Sequence, residues 1–195
     1  MNFKAPHFVL FESSSDPFSG IIDRLFKHGG YPFERVEVQS TEEAKQMGLP
    51  LAKLPALQFD NVTISGFSPI CRSIASRTGL DGTTLNESSE IDMIVNFIEQ
   101  VMERIRIVLC CDEPKEHEVM EEINQFLDKL APFLDARFKD NNGSKTIVGK
   151  VLTWGDFVTV YFLRMLVDYF DDDFSTMLQA RFPHLLEYFD KNQNL

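Results

Sequence analysis

Over its first third the chain carries apolar residues in short, strand-length runs, and beyond that they recur at helical spacing. Phe8-Val9-Leu10-Phe11 has the length and composition of a buried strand. In the polar stretch that follows, Ser13-Ser14-Ser15-Asp16-Pro17, Asp16 stands where a helix cap belongs and Pro17 at the first helical position. Ile21, Ile22, Leu25 and Phe26 then share one helical face, and Gly29-Gly30 predicts its end. Tyr31 to Val38 alternates as a second strand, and Thr41 to Gly48 is a polar connection, helical or irregular. Ala56, Leu57 and Phe59 form a third strand, Asp60-Asn61 a turn and Val62-Thr63-Ile64 a fourth strand. Ser65-Gly66-Phe67-Ser68-Pro69 leads into a helix carrying Ile70, Ile74 and Ala75. Pro55, at the mouth of a central-looking strand, offers the ladder no N–H, so the Leu54-Pro55 step is an edge, a bulge or a cis turn.

Residues 81–86 (DGTTLN) are polar and turn-rich and predict a linker, which divides the chain into residues 1–80 and an all-helical part, 87–195. Ile91, Ile94, Val95, Ile98, Val101, Met102, Ile105 and Val108-Leu109 make a long helical stripe, broken by Asp112-Glu113-Pro114. Val119, Ile123, Phe126, Leu127, Leu130 and Phe133-Leu134 mark another helix, which tolerates or kinks at Pro132. Asp140 to Ser144 reads as an exposed loop. Thr153-Trp154-Gly155-Asp156 has the spacing of a capping box, in which the Thr hydroxyl meets one orphan amide and the Asp carboxylate another. A last helix is predicted around Phe182 to Phe189.

A chain of 195 residues buries a substantial core as one domain or two small ones. Hydrophobic content of 44% with 25% charged residues is that of a globular protein, and 18 phenylalanines predict aromatic-rich packing. A net charge of −11 argues against nucleic acid and anionic membranes as partners. No apolar run has the length of a membrane span or of a signal-peptide core. Cys71, Cys110 and Cys111 form no metal or C-x-x-C pattern, and their odd number suits a reducing, cytoplasmic compartment; Cys110-Cys111 fall in a helical stripe and read as packing residues. His7, His28, His117 and His184 have no ligand spacing, and Asp171-Asp172-Asp173 reads as a solvated turn, so no metal is expected.

The β-α-β, connection, β-β-α order matches a thioredoxin-like domain. With Lys53-Leu54-Pro55, the hairpin and the capped helix after it, the chain resembles the glutathione transferases, closest to the sigma-type members of invertebrates. The surroundings of Thr153 and Asp156 and the segment Phe182 to Phe189 extend the resemblance over nearly the whole chain. It implies a thioredoxin-like α/β domain followed by an all-α helical bundle, glutathione as co-substrate, electrophiles or small apolar ligands, and a homodimer. Arg72 matches a family arginine that packs near the two-fold axis, facing Glu90 and Asp92 of the other subunit; a solvated helix arginine is the plain alternative. The chain ends at Leu195, short of the closing segment most members carry, so a trimmed chain or a member without that lid is expected.

The resemblance also locates the chemistry. Family members lower the pKa of the glutathione thiol, ordinarily about 8.5, with a hydroxyl that donates to sulfur. In the sigma type this is a tyrosine at the end of the first strand, the position of Glu12; Phe11 precedes it. Neither residue supplies a hydroxyl, and an ionised Glu12 raises a neighbouring thiol's pKa. Ser14 or Ser15, beside the first helix's positive end, could replace the donor, as serines do in other classes; as loop and cap residues they need no such role. Lys53, the Leu54 backbone and Pro55 keep the family turn that holds the cysteinyl part. Gly66-Phe67 stands where a Gln/Glu-Ser pair holds the γ-glutamyl carboxylate, and Phe67 could fill that space. The tryptophan and lysine ahead of the turn map to Glu42 and Gln46, with Lys45 adjacent, and the partner subunit's aspartate maps to Asn96. Each lost hydrogen bond to a charged group is worth on the order of 1.5–3 kcal/mol, so three or four losses move micromolar binding to millimolar or beyond. The expectation is a glutathione transferase-like protein with weak or absent conjugating activity; the alternative is a non-catalytic carrier, scaffold or crystallin-like structural protein on the same fold. Thr153 and Asp156 read as structural, and Gly155 replaces the family alanine at up to about 1 kcal/mol.

Overall fold

The computed structural model describes residues 7–14, 16–109, 116–140, 145–170 and 172–195. They form two compact units, divided between Thr78 and Gly79. The first is a thioredoxin-like α/β unit and the second is helical, the two-part architecture of the glutathione transferases.

The first unit is built on four strands: β1 (Phe8–Glu12), β2 (Phe33–Glu37), β3 (Ala56–Phe59) and β4 (Val62–Ser65), in the order β2-β1-β3-β4. Strand β1 runs parallel to β2, with Leu10 opposite Arg35, and antiparallel to β3, with Leu10 opposite Leu57. Parallel neighbours require a crossover, supplied by α1 (Ser19–Gly29). Its buried face is Ile21, Ile22, Leu25 and Phe26, and it ends at Gly30, whose φ of 67° is one a glycine adopts freely. Residues Phe8, Leu10 and Glu12 of β1 are buried on one face. There the Phe8 ring meets Phe26 and Tyr31 edge-on, and α1 packs beside α3 (Phe67–Thr78). Phe11, on the opposite face, packs with Leu54 against Val38, Ala44, Leu49 and Ala56.

One detail differs from the sequence expectation, and two others decide between alternatives it left open. Helix α1 opens at Ser19, after the predicted cap at Asp16. Asp16 Oδ1 instead accepts the Phe18 amide at 2.9 Å, closing a local turn, and Pro17 lies in that turn. The connection Thr41 to Gly48 is largely helical, α2 (Thr41–Gln46). Ser40 Oγ accepts from the Glu43 amide at 3.1 Å and Glu43 Oε2 from the Gln39 amide at 2.7 Å, so side-chain caps fix its start. The Leu54-Pro55 bond is cis, which settles the three alternatives at Pro55.

In the second unit α4 (Leu85–Leu109) begins inside the expected linker. Thr84 Oγ1 accepts the Glu87 amide at 3.2 Å and Glu87 Oε2 the Thr83 amide at 2.6 Å, a cap that makes Leu85 and Asn86 helical. Helix α5 (Glu116–Gln125) continues through a π turn, Phe126–Leu130, into α6 (Ala131–Asp140). Pro132 has no N–H for the preceding turn and crowds its carbonyl, and the helix widens just before it so that the Ala131 amide reaches Phe126 O. Helices α7 (Trp154–Phe170), α8 (Asp172–Arg181) and α9 (Pro183–Lys191) complete the unit. Its core is aromatic, as 18 phenylalanines foretold: Phe126 meets Phe162 edge-on and Phe138 stacks on Tyr188. Asp112-Glu113-Pro114, Cys110-Cys111, Asp171 and most of the Asp140 to Ser144 loop lie outside the described residues. No helix among the described residues is long and apolar enough to cross a membrane.

Candidate functional site

Strand alternation turns Glu12, the last residue of β1, to the face that already holds Phe8 and Leu10, so its carboxylate enters an apolar surrounding. Only 8% of the residue is exposed. The parallel register carries Arg35 alongside, and its Nη1 donates to Glu12 Oε1 at 2.7 Å. Arg35 Nη2 also pairs with Asp23 of α1. Glu12 Oε2 is buried with no hydrogen-bond partner among the described residues. Burial pushes the Glu12 carboxyl above its ordinary range; Arg35 opposes the rise, while Asp23 and Asp16 add to it. Glu12 is therefore an ion-paired hydrogen-bond acceptor. Sequence reasoning assigned nothing to Arg35 because its role comes from strand register, which local pattern does not encode.

Ser14 is exposed in the turn after β1, and Ser15 lies outside the described residues. The turn on the other side is intact. Pro55 is buried and its carbonyl accepts the Gly66 amide at 2.8 Å, which ties the turn to the foot of α3. Leu54 is half-buried and Lys53 exposed. The Lys53 ammonium leans toward Gly66, 3.9 Å from where a β-carbon would stand, and Gly66 has a φ of 102° that favours glycine. Ser65 Oγ, next in the chain, is buried without a partner among the described residues. Phe67 begins α3 fully buried, its ring stacked on that of Phe18 with centroids 4.5 Å apart. Phe18, the residue just ahead of α1, was another position that sequence reasoning left unassigned.

Thus Lys53, Leu54, Pro55, Gly66 and Phe67 gather around the N-terminal end of α3. Gln46 closes α2 with its side chain exposed, and Glu42 and Lys45 pair loosely at 4.0 Å on the same helix. Asn96 is exposed on α4, in the second unit. Among the described residues, no three His, Cys, Asp or Glu side chains group in a way that could hold a metal ion.

Thr153 and Asp156 do meet, in the second unit. Asp156 is completely buried and takes four donors. Oδ1 accepts from the Ile147 amide at 2.7 Å and Tyr188 Oη at 2.8 Å, and Oδ2 from the Thr153 amide and hydroxyl, each at 2.8 Å. Burial pushes its carboxyl up to about 6, against the pull of those donors. Tyr188 is raised well above its usual value, first by burial and then by the Asp156 charge.

Comparison with known proteins gives a consistent set of likenesses. Residues 91–195 match the family model described as glutathione S-transferase, C-terminal domain. A glutathione S-transferase of Drosophila melanogaster is 30% identical over 143 residues, 71% of this chain and 55% of that protein. The hematopoietic prostaglandin D synthase of Gallus gallus is 30% identical over 174 residues, 88% of this chain and 82% of that protein. Glutathione S-transferase 2 of Manduca sexta is 32% identical over 152 residues, covering 73% and 72%. Among solved structures, a monomeric glutathione S-transferase of the hookworm Necator americanus gives a TM-score of 0.79 at 19% identity, covering 96% of this chain and 92% of that one. The glutathione S-transferase of Ascaris lumbricoides gives 0.77 at 22% identity, covering 97% and 92%. At such identities the structural likeness speaks for the fold alone.

Proposed function

The chain belongs to the glutathione S-transferase family, and we propose that it is a member with weak or absent conjugating activity that serves as a cytoplasmic carrier or scaffold for small apolar ligands. The observation that carries this reading is the 2.7 Å contact between Arg35 and Glu12 at the position implied for the thiol-activating tyrosine. A carboxylate accepts hydrogen bonds and repels a thiolate, so the thiol pKa is not lowered there. The buried phenyl ring of Phe67, where the resemblance implies a polar pair for the γ-glutamyl carboxylate, works in the same direction.

One observation favours the transferase alternative. Lys53 and the Leu54-Pro55 turn are retained, and Ser14, just after Glu12 in the chain, is exposed. On that reading the turn holds glutathione, Ser14 or Ser15 donates to its sulfur, and glutathione is conjugated to an electrophile. A homodimer is part of either reading by family resemblance. Arg72 is exposed on α3, whereas Glu90, one of its implied partners across the two-fold axis, already pairs with Arg137 of its own chain.

Isothermal titration of glutathione into the protein tests the proposal. Binding absent or only millimolar, with no thiolate absorbance, is the expected result. Micromolar binding with a thiolate band that is lost on Ser14→Ala or Ser15→Ala overturns it. Sedimentation of a single 22.4 kDa species would remove the dimer.

A further inference from the structure

We propose that Phe18 and Phe67 together form an aromatic plug across the N-terminal ends of α1 and α3, and that this plug excludes glutathione. The inference rests on the proposed loss of the glutathione site and names the residue pair that enforces it.

Phe18 immediately precedes α1 and Phe67 is the first residue of α3, two helices that pack side by side. Their rings are stacked at 4.5 Å with 30° between the planes, and only 5% of Phe18 and 1% of Phe67 is exposed. A helix N-terminus presents unpaired amides and a partial positive charge, the natural seat for a carboxylate. Two phenyl rings across a pair of such ends remove that seat in two ways. They occupy the volume, and an anion entering beside them loses its water without gaining donors. The Lys53 ammonium beside Gly66 is exposed, so its attraction for an anion is screened by water and does not offset the two rings. The stack also explains why a polar residue is absent at 67: once Phe18 faces inward, an aromatic there is the side chain that fills the space against it.

The test opens the plug. The Phe18→Ala/Phe67→Ser double variant and a filled control, Phe67→Leu, are titrated with glutathione by calorimetry beside the parent protein. The expected result is a gain in affinity of about tenfold or more in the double variant, with none in the control. A double variant that keeps its far-UV spectrum and cooperative melting but gains no affinity overturns the plug, while parental failure to bind leaves the proposed function standing. Micromolar binding by the parent overturns both. If the double variant does not fold, the parent decides: amide resonances of Phe18, Gly66 and Phe67 should be unmoved by millimolar glutathione, and saturable shifts at those three overturn the plug.

Discussion

The hydroxyl of Tyr188, on α9, donates to the buried carboxylate of Asp156, on α7, across 2.8 Å. The same tyrosine stacks its ring on Phe138 of α6, with centroids 4.3 Å apart and planes nearly parallel. Asn192, one turn on, donates to the carbonyls of Tyr188 and Lys145. The capping box therefore does more than start α7: through Tyr188 it ties α6, α7, α9 and the 145–153 segment to one carboxylate. A buried charge of this kind is tolerable because all its oxygen lone pairs face donors.

Tyr188→Phe should test the strength of that tie. The substitution keeps the ring stack and removes one hydrogen bond to a charged acceptor, worth about 1.5–3 kcal/mol. Thermal or urea unfolding should show a loss in that range, with unchanged far-UV spectrum. A loss below about 0.5 kcal/mol, the level of an ordinary surface change, would mean the bond is not formed in solution.

Asp156 should also leave a signature in the pH dependence of stability. Its folded pKa is raised, to about 6 from 3.8, so the folded state binds the proton more tightly than the unfolded one. The stability this contributes is fully present below pH 3.8 and is lost as pH rises through about 6. The span corresponds to on the order of 3 kcal/mol. Comparison with Asp156→Asn cancels the other titrating groups: the variant's deficit should be largest near pH 4, shrink up to about pH 6 and stay constant above it. A deficit that grows with pH over that window contradicts the raised pKa.

Much of this architecture was legible in the chain because it rests on local rules. The Ile21, Ile22, Leu25, Phe26 face, the Gly29-Gly30 stop and the Thr153-x-x-Asp156 box each involve residues within one or two turns, where spacing is the signal. The Leu54-Pro55 turn could be narrowed to three geometries because proline lacks a donor wherever it lies. What stayed hidden was long-range. Arg35 meets Glu12 through strand register, Phe18 meets Phe67 across 49 positions of sequence (67 less 18), and Tyr188 meets Asp156 between helices 32 residues apart. Asp16 misled for the opposite reason: Asp-Pro at that spacing serves an N-cap or a turn equally well, and the turn won.

Arg35→Met should expose what the ion pair does for the first unit. It strands Glu12 as a buried carboxylate without its cation, and Arg35 is itself 44% exposed, so a loss of about 1–3 kcal/mol is expected, below the full range for buried pairs. Glu12→Gln in the same background removes the stranded charge and should recover at least half of that loss. A double variant no more stable than Arg35→Met alone would show that Glu12 is solvated rather than buried beside Arg35. Unfolding in urea, followed by far-UV dichroism, distinguishes the two.

Gly155→Ala should reverse the usual sign of a helix substitution. Alanine favours an α-helix over glycine by about 1 kcal/mol, and the family carries alanine at this position. Here, however, a β-carbon at 155 would stand 2.6 Å from Ile147 Cδ1 and 3.0 Å from Ile91 Cγ2. All three residues are fully buried, so the space is already filled by the two isoleucines. Overpacking of a tight core costs about 1–3 kcal/mol, which outweighs the helical gain, and a net loss is expected on thermal unfolding. Ile147→Val removes the Cδ1 atom that clashes and alone should cost about 0.5–1.5 kcal/mol as a cavity. Combined with Gly155→Ala it should be more stable than the sum of the two single changes allows, a coupling of about 0.5 kcal/mol or more. Strict additivity would mean that α7 shifts to admit the methyl group, and Gly155 would then owe nothing to its neighbours.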